Sequence, residues 1–149
     1  MSTNDLPVFR QANSSDIPAM SRIRLAVTEN VLSDPSRVTL EMYEDFLEKS
    51  GRGWVAEDRG EIVAFCYADK DKASIWALFV QPGQEGRGLA KTLLRLAVDW
   101  LFATGHETVS LSTGANTRAD RFYAAQGWLR RPISAFEIAY SLNKPMPRA

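Results

Sequence analysis

Apolar residues along the chain fall into a small number of periodic runs. Ile17, Met20, Ile23, Val27 and Val31 recur at steps of three and four, which lays one stripe along a helix. Asn13 to Asp16 supplies capping residues just before it, and Pro18 suits its first turn. Ahead of this helix, Val8 to Ala12 reads as a short strand. Beyond Pro35 a second helix is predicted from about Thr39, with Leu40, Tyr43 and Leu47 on one face and Gly51 as its stop. Trp54–Glu57 and Ile62–Tyr67 then read as strands joined through Asp58, Arg59 and Gly60, a hairpin turn. Ala73 to Val80 is almost wholly apolar, the pattern of a central strand covered on both faces.

The longest helix is predicted from about Gly88 to Thr104. Leu89, Leu93, Leu96, Ala97, Trp100 and Leu101 form its buried side, and Gly105 its stop. Thr108–Ser112 is a further strand. Thr117 and Asp120 resemble a capping box at the start of a short helix that carries Ala119, Phe122 and Tyr123 and stops at Gly127. Trp128–Arg130 and Phe136–Leu142 complete the pattern as an antiparallel pair. The order is β-α-α-β-β-β-α-β-α-β-β, which predicts an α/β (α+β) chain with a mixed sheet and helices on its faces.

Composition narrows the function more than the fold. The 149 residues suit one domain, and 45% of them are hydrophobic, enough for a core. Lys plus Arg and Asp plus Glu both number 18, so no overall basic field favours nucleic acid. Cys66 has no second cysteine to pair with and lies in an apolar run, the place of a small core residue. A single His argues against a metal cluster. No apolar stretch reaches the roughly 20 residues that span a membrane, and Met1 to Asp5 is polar, unlike a signal peptide. A cytoplasmic setting without membrane or nucleic-acid partners is the expectation.

The segment most informative about chemistry runs from Val80 through Gln81-Pro82-Gly83-Gln84-Glu85-Gly86-Arg87-Gly88 to Leu89 and Ala90. A buried strand enters a Gly-rich turn, and the turn opens a long helix. Gly86 and Gly88 admit backbone angles closed to other residues and let a ligand approach the main chain. The first amides of a helix lack intrahelical acceptors and, with the helix dipole, form an anion site suited to phosphate. The alternative is a turn that needs glycine only for packing. No G-x-G-x-x-G and no Gly-Lys-Ser/Thr is present, so neither a dinucleotide fingerprint nor a triphosphate loop applies.

This segment resembles the acetyl-coenzyme A motif of the GNAT superfamily of N-acetyltransferases, Gln/Arg-x-x-Gly-x-Gly/Ala, with Gly88-Leu89-Ala90 as its second half. Asn116, Ala119, Phe122, Tyr123, Gly127 and Trp128 match a second signature of that family in order and spacing. The resemblance extends from about Val8 to Leu142 and implies a single-domain, mostly antiparallel central sheet. It implies that acetyl-CoA is the cosubstrate, with no metal, and that an amine-bearing small molecule or peptide is the acceptor. Family members are often homodimers. Main-chain groups of Leu78, Phe79 and Val80 would take up the pantetheine arm as an added strand. The amides of Glu85, Gly86, Arg87, Gly88, Leu89 and Ala90 would hold the diphosphate. Asn116 would bond the pantetheine region, and Tyr123 would lie near the sulfur. One position departs from the motif: Glu85 stands where Gln or Arg is usual. Its side chain is expected to point away, with Arg87 offsetting its charge.

Transfer to an amine needs a base for the amine and an acid for the leaving thiolate. Tyr123 is the family-matched acid, and its competing reading is a core aromatic beside Phe122. No Asp or Glu lies within Ala73–Val80, where many relatives place a base. Glu29, in the polar cluster Thr28-Glu29-Asn30, is the substitute; its other readings are a solvent-facing carboxylate, with ordered water carrying the proton. Two non-catalytic alternatives share the fold: an acetyl-CoA sensor, and an interaction domain with structural glycines. Glu29 and Asp34 suit a cationic acceptor, Arg130 and Arg131 an acidic one, though adjacent arginines more often mark a solvated hairpin. Trp54, Trp76 and Phe136 are expected in the core, with an aromatic pocket lining as the alternative.

Overall fold

A computed structural model describes residues 6–26 and 51–145. The predicted second helix and Glu29 lie outside these residues. The described elements are β1 (Val8–Gln11), a 3-10 turn (Ser14–Asp16), α1 (Ile17–Ala26), β2 (Gly51–Asp58), β3 (Glu61–Asp69), β4 (Ser74–Val80), α2 (Leu89–Ala103), β5 (Thr108–Gly114), α3 (Arg118–Ala125), β6 (Leu129–Pro132) and β7 (Glu137–Asn143). Gly51, expected as a helix stop, opens β2 instead.

The seven strands form one sheet in the order β1-β2-β3-β4-β5-β7-β6. Every neighbouring pair is antiparallel except β4 with β5. Helices cover both faces, and β3 shows why. Its residues alternate, so Ala64, Cys66 and Ala68 face one layer while Phe65 and Tyr67 face the other. The small residues leave room for α2, which lays Leu89, Leu93, Ala97 and Leu101 against them. Leu93 and Leu101 are fully buried, and each such leucine stabilises the fold by about 1.5–3 kcal/mol. Of the helix positions expected inside, Leu96 and Trp100 are only partly buried; Leu94, Val98 and Phe102 complete the buried stripe. On the opposite face the aromatic residues of β3 meet Ile17, Met20 and Ile23 of α1.

Local chemistry fixes the ends of these elements. Asn13 caps the 3-10 turn, with Asp16 reaching back to the Asn13 amide at 2.9 Å. Arg10 clamps Asp16 with two bonds of 2.8 Å and also holds Glu57, which ties β1, the turn and β2 together. That guanidinium keeps the Asp16 carboxyl below its usual range.

Candidate active site

The site starts where the sheet opens. The parallel β4–β5 pair is in register only at Ser74 and Ser110, and the Ser110 amide donates to the Ala73 carbonyl at 3.0 Å. From there β5 stays paired with β7 along its whole length, while the C-terminal half of β4 has no strand on its β5 side among the described residues. On its other edge Phe79 lies opposite Phe65, and the Gln81 amide donates to the Val63 carbonyl at 2.8 Å. The alternation of an antiparallel ladder then turns the main-chain groups of Leu78 and Val80 toward the open edge and those of Phe79 toward β3. This is the edge an extended ligand can complete.

Beyond Val80 the chain enters the Gly-rich turn, closed by the Gln84 amide on the Gln81 carbonyl at 2.9 Å. Gly86 (φ 81°) and Gly88 (φ 77°) are both left-handed, and Gly88 is the N-cap of α2 with no side chain to cap it. The first bond of the helix runs from the Thr92 amide to the Gly88 carbonyl at 3.1 Å. The amides of Leu89, Ala90 and Lys91 precede it and have no acceptor among the described residues. Three uncommitted donors at the positive end of a 15-residue helix form an anion site. They border a cavity of about 630 Å³ that is also lined by Leu78, Phe79, Val80, Glu85, Gly86 and Tyr123. The fit to a thioester of coenzyme A is one of chemistry: an open strand edge leads to a helix start whose uncommitted amides suit a phosphate.

The Glu85 side chain folds back on the turn and still lines the larger cavity. Its carboxylate accepts from the Gly83 amide at 2.8 Å, its own amide contributes as well, and these bonds hold its pKa below the usual range. The expected role of Arg87 is corrected. Arg87 bonds Asp58 at 2.9 Å and Gln84 at 2.7 Å, because the β2–β3 turn offers it a carboxylate. The cation that meets Glu85 is Arg118, the first residue of α3, at 3.0 Å.

The start of α3 is built around Asp120. Thr117 caps the helix by accepting from the Asp120 amide at 3.1 Å. The Asp120 carboxylate accepts from the Asn116 amide at 2.9 Å, which holds Asn116 in a left-handed conformation (φ 63°) that asparagine tolerates. Arg130 donates to the same carboxylate at 3.0 and 3.1 Å, and the Tyr140 hydroxyl donates to it from the buried side. Arg130 and Tyr140 hold the Asp120 carboxyl well below its ordinary pKa. Arg130 therefore braces the site rather than merely facing solvent. Asn116 is exposed and does not line the cavity.

One turn along α3, Tyr123 is 5% exposed and set among Phe122, Trp128 and Tyr140, with ring centroids 5.2 to 5.5 Å away. Its hydroxyl makes no hydrogen bond among the described residues. Burial pushes its pKa above the normal phenol range, and neighbouring Cys66 adds to the effect. Cys66 is itself wholly buried, as expected of a core residue. Tyr123 also borders a second cavity, of about 210 Å³, shared with Leu78, Phe79 and Ala119. That cavity is walled by β4, β5 and Arg24 at the end of α1.

Two residues of the site, Arg24 and Arg118, carry no motif and were not anticipated. Among the aromatics expected inside, Trp54 is buried edge-on to Trp100 at 5.8 Å. Trp76 lines the second cavity, and Phe136 is 73% exposed. Phe136 lies in the turn before β7, whose first amides bond Ser134, and so never enters the inward alternation of Ile138 and Tyr140. Among the described residues no group of three or more His, Cys, Asp and Glu could hold a metal, and no helix is long and apolar enough to cross a membrane.

The chain is 35% identical over 94 residues to a mycothiol acetyltransferase of Sanguibacter keddieii; the match covers 56% of this chain and 30% of that protein. A PaiA N-acetyltransferase of Thermoplasma acidophilum, solved with coenzyme A, superposes with a TM-score of 0.80 at 13% identity, over 97% of this chain and 100% of that one. The ribosomal-protein-S18-alanine N-acetyltransferase of Escherichia coli superposes at 0.76 and 17% identity, over 96% and 97%. These two structures share the fold. Residues 17–128 match the Acetyltransferase (GNAT) family over most of the chain, including both the helix-start turn and the Tyr123 segment, and the protein belongs to that family.

Proposed function

We propose that this protein transfers the acetyl group of acetyl-CoA to a primary amine. The observation that carries the reading is the junction at Tyr123, where a cavity ending at uncommitted helix-start amides meets a second cavity of small-molecule size. Membership of the family supports it. Leu78 and Val80 offer main-chain groups to the pantetheine arm, with Phe79 flanking it, and the amides from Gly86 to Ala90 receive the diphosphate, that of Glu85 being taken by its own carboxylate. Hydrogen bonds to a charged group contribute about 1.5–3 kcal/mol each, so a few suffice to anchor it.

Bound acetyl-CoA supplies an activated acyl thioester. The amine nitrogen forms the new bond to the acyl carbon, the carbon–sulfur bond breaks, one amine proton leaves to a base, and the sulfur gains one proton. Tyr123 holds that second proton. Its raised pKa keeps the phenol neutral wherever the amine is reactive, so it remains a donor to the departing sulfur. Glu29 is the proposed base, directly or through water. The protein is proposed to work in the cytoplasm, without nucleic-acid or membrane partners.

The test is release of coenzyme A thiol from acetyl-CoA with a panel of amines, amino acids, aminoglycosides and peptides, beside calorimetry with acetyl-CoA. Binding with no turnover on any amine would point to a sensor, and absence of binding to a structural role for the glycines. A Glu29→Gln enzyme with an unaltered pH–rate profile removes Glu29 as base.

A further inference from the structure

The 210 Å³ cavity beside Tyr123 has an uneven charge. Arg24 is the one charged residue among the described residues lining it, and no Asp or Glu stands there. Arg24 is half-buried, and no carboxylate pairs with it among the described residues. Other arginines near the fold's joints do have partners: Arg10 holds Asp16 and Glu57, Arg87 holds Asp58, Arg118 holds Glu85 and Arg130 holds Asp120. Leaving a guanidinium partly desolvated without a counter-charge is unfavourable, and its planar fork matches a carboxylate. Ser112 lines the same cavity from β5, on the face opposite Val109 and Leu111, and its hydroxyl makes no hydrogen bond among the described residues. The remaining wall is apolar: Ile75, Ala77, Leu111 and the ring of Trp76.

We propose that the acetyl acceptor is an amino carboxylate of amino-acid size, whose carboxylate is bound by Arg24 with help from the Ser112 hydroxyl. The inference rests on the acetyltransferase reading of the Tyr123 junction and names the acceptor class for it. Arg24 fixes one end of the acceptor, and the shared wall of the two cavities brings the amine to the thioester carbonyl. The apolar wall takes the acceptor's side chain. Arg24 is a binding and specificity residue; it does not touch the reacting atoms.

The experiment compares acceptors matched in side chain, acid against amide: leucine with leucinamide, methionine with methioninamide, and glycine with glycinamide, at a pH where both α-amines are largely neutral. Coenzyme A thiol release by the full chain is followed at saturating acetyl-CoA. The expected result is a kcat/KM at least tenfold higher for an acid than for its amide. In Arg24→Gln that preference collapses toward one, mainly through KM, and Arg24→Lys restores part of it. Calorimetry of the product pair gives a readout without turnover: N-acetylleucine binds the wild-type protein more tightly than N-acetylleucinamide, and Arg24→Gln erases the difference. Equal use of acid and amide, or an unchanged preference in Arg24→Gln, overturns the proposal. Acetyl-CoA binding with turnover only of neutral amines or polyamines, or with no turnover of any acid, overturns it too and leaves the cofactor reading standing. Failure to bind acetyl-CoA at all strikes the underlying reading instead.

Discussion

The carboxylate of Glu85 and the guanidinium of Arg118 lie 3.0 Å apart, joining the Gly-rich turn to the first residue of the third helix. Both residues line the larger cavity, so the pair sits where a diphosphate approaches. The carboxylate neutralises a cation that an incoming phosphate can otherwise use.

Glu85→Gln should therefore tighten acetyl-CoA binding. The pair is solvent-exposed and contributes little to stability, so the melting temperature should stay within a degree or two. The affinity gain should be a few-fold at low salt and shrink as salt screens the loss of the repelling carboxylate. Calorimetry at two ionic strengths measures both effects. Unchanged affinity at low salt would mean that Arg118 does not meet the cofactor.

Gly88→Ala tests the helix start. The methyl meets nothing within 4 Å in the protein, but φ is 77°, so the substitution strains the backbone. That strain costs about 1–2 kcal/mol, or roughly 2–8 °C in melting temperature for a chain of this size. Gly88 lies where a ligand must come close to the main chain, so the larger effect should fall on the KM for acetyl-CoA. We expect an increase of about tenfold or more. Loss of stability with an unchanged KM would show that this turn needs glycine for folding alone.

How much of this was legible in the sequence depends on the range of the interaction. The turn and both ends of the long helix were readable because strand, glycine and helix signals follow one another locally: Gly88 and Thr104 are its caps. Thr117 and Gly127 bracket the next helix for the same reason. Contacts made by the folding of the sheet were not readable. Arg24 is one polar residue on a helix, and only the divergence of β4 from β5 gives it a cavity to face. Arg118 meets Glu85, and Arg130 meets Asp120, across gaps that no local pattern encodes. Phe136 looked like part of the inward alternation that Ile138 and Tyr140 do follow, because the strand's first residue cannot be located from apolar pattern alone.

Asp120→Asn tests the brace beneath the site. The carboxylate serves Asn116, Arg130 and Tyr140 together, and an amide cannot accept from all three. Leaving one buried donor unsatisfied costs about 1–3 kcal/mol, so the melting temperature should fall by roughly 2–12 °C. The dependence on pH follows from the depressed carboxyl pKa. Stability from a depressed group is fully present above its unfolded pKa of about 3.9 and is lost as pH falls from there through the folded value. The gap between wild type and Asp120→Asn should thus be constant near neutrality and narrow below about pH 4. Thermal melts from pH 7 to pH 3 measure it, and a gap that widens in acid would refute the assignment.

Tyr123→Phe removes a hydroxyl and leaves the ring among Phe122, Trp128 and Tyr140. The cofactor's contacts to the strand edge and helix start remain, so acetyl-CoA affinity should change little. Turnover should fall at least about tenfold, the lower end of what a positioned proton donor supplies. The wild-type pH profile carries a second signature. The acid works in its protonated form, and its pKa lies above the usual value near 10, so no descending limb should appear below about pH 10. The ascending limb belongs to the amine or its base and should persist in Tyr123→Phe at a lower plateau. Steady-state rates from pH 6 to pH 10 on both proteins decide the matter. Equal plateaus exclude Tyr123 as the donor, because a ring that only packs cannot lower the rate when its hydroxyl is deleted.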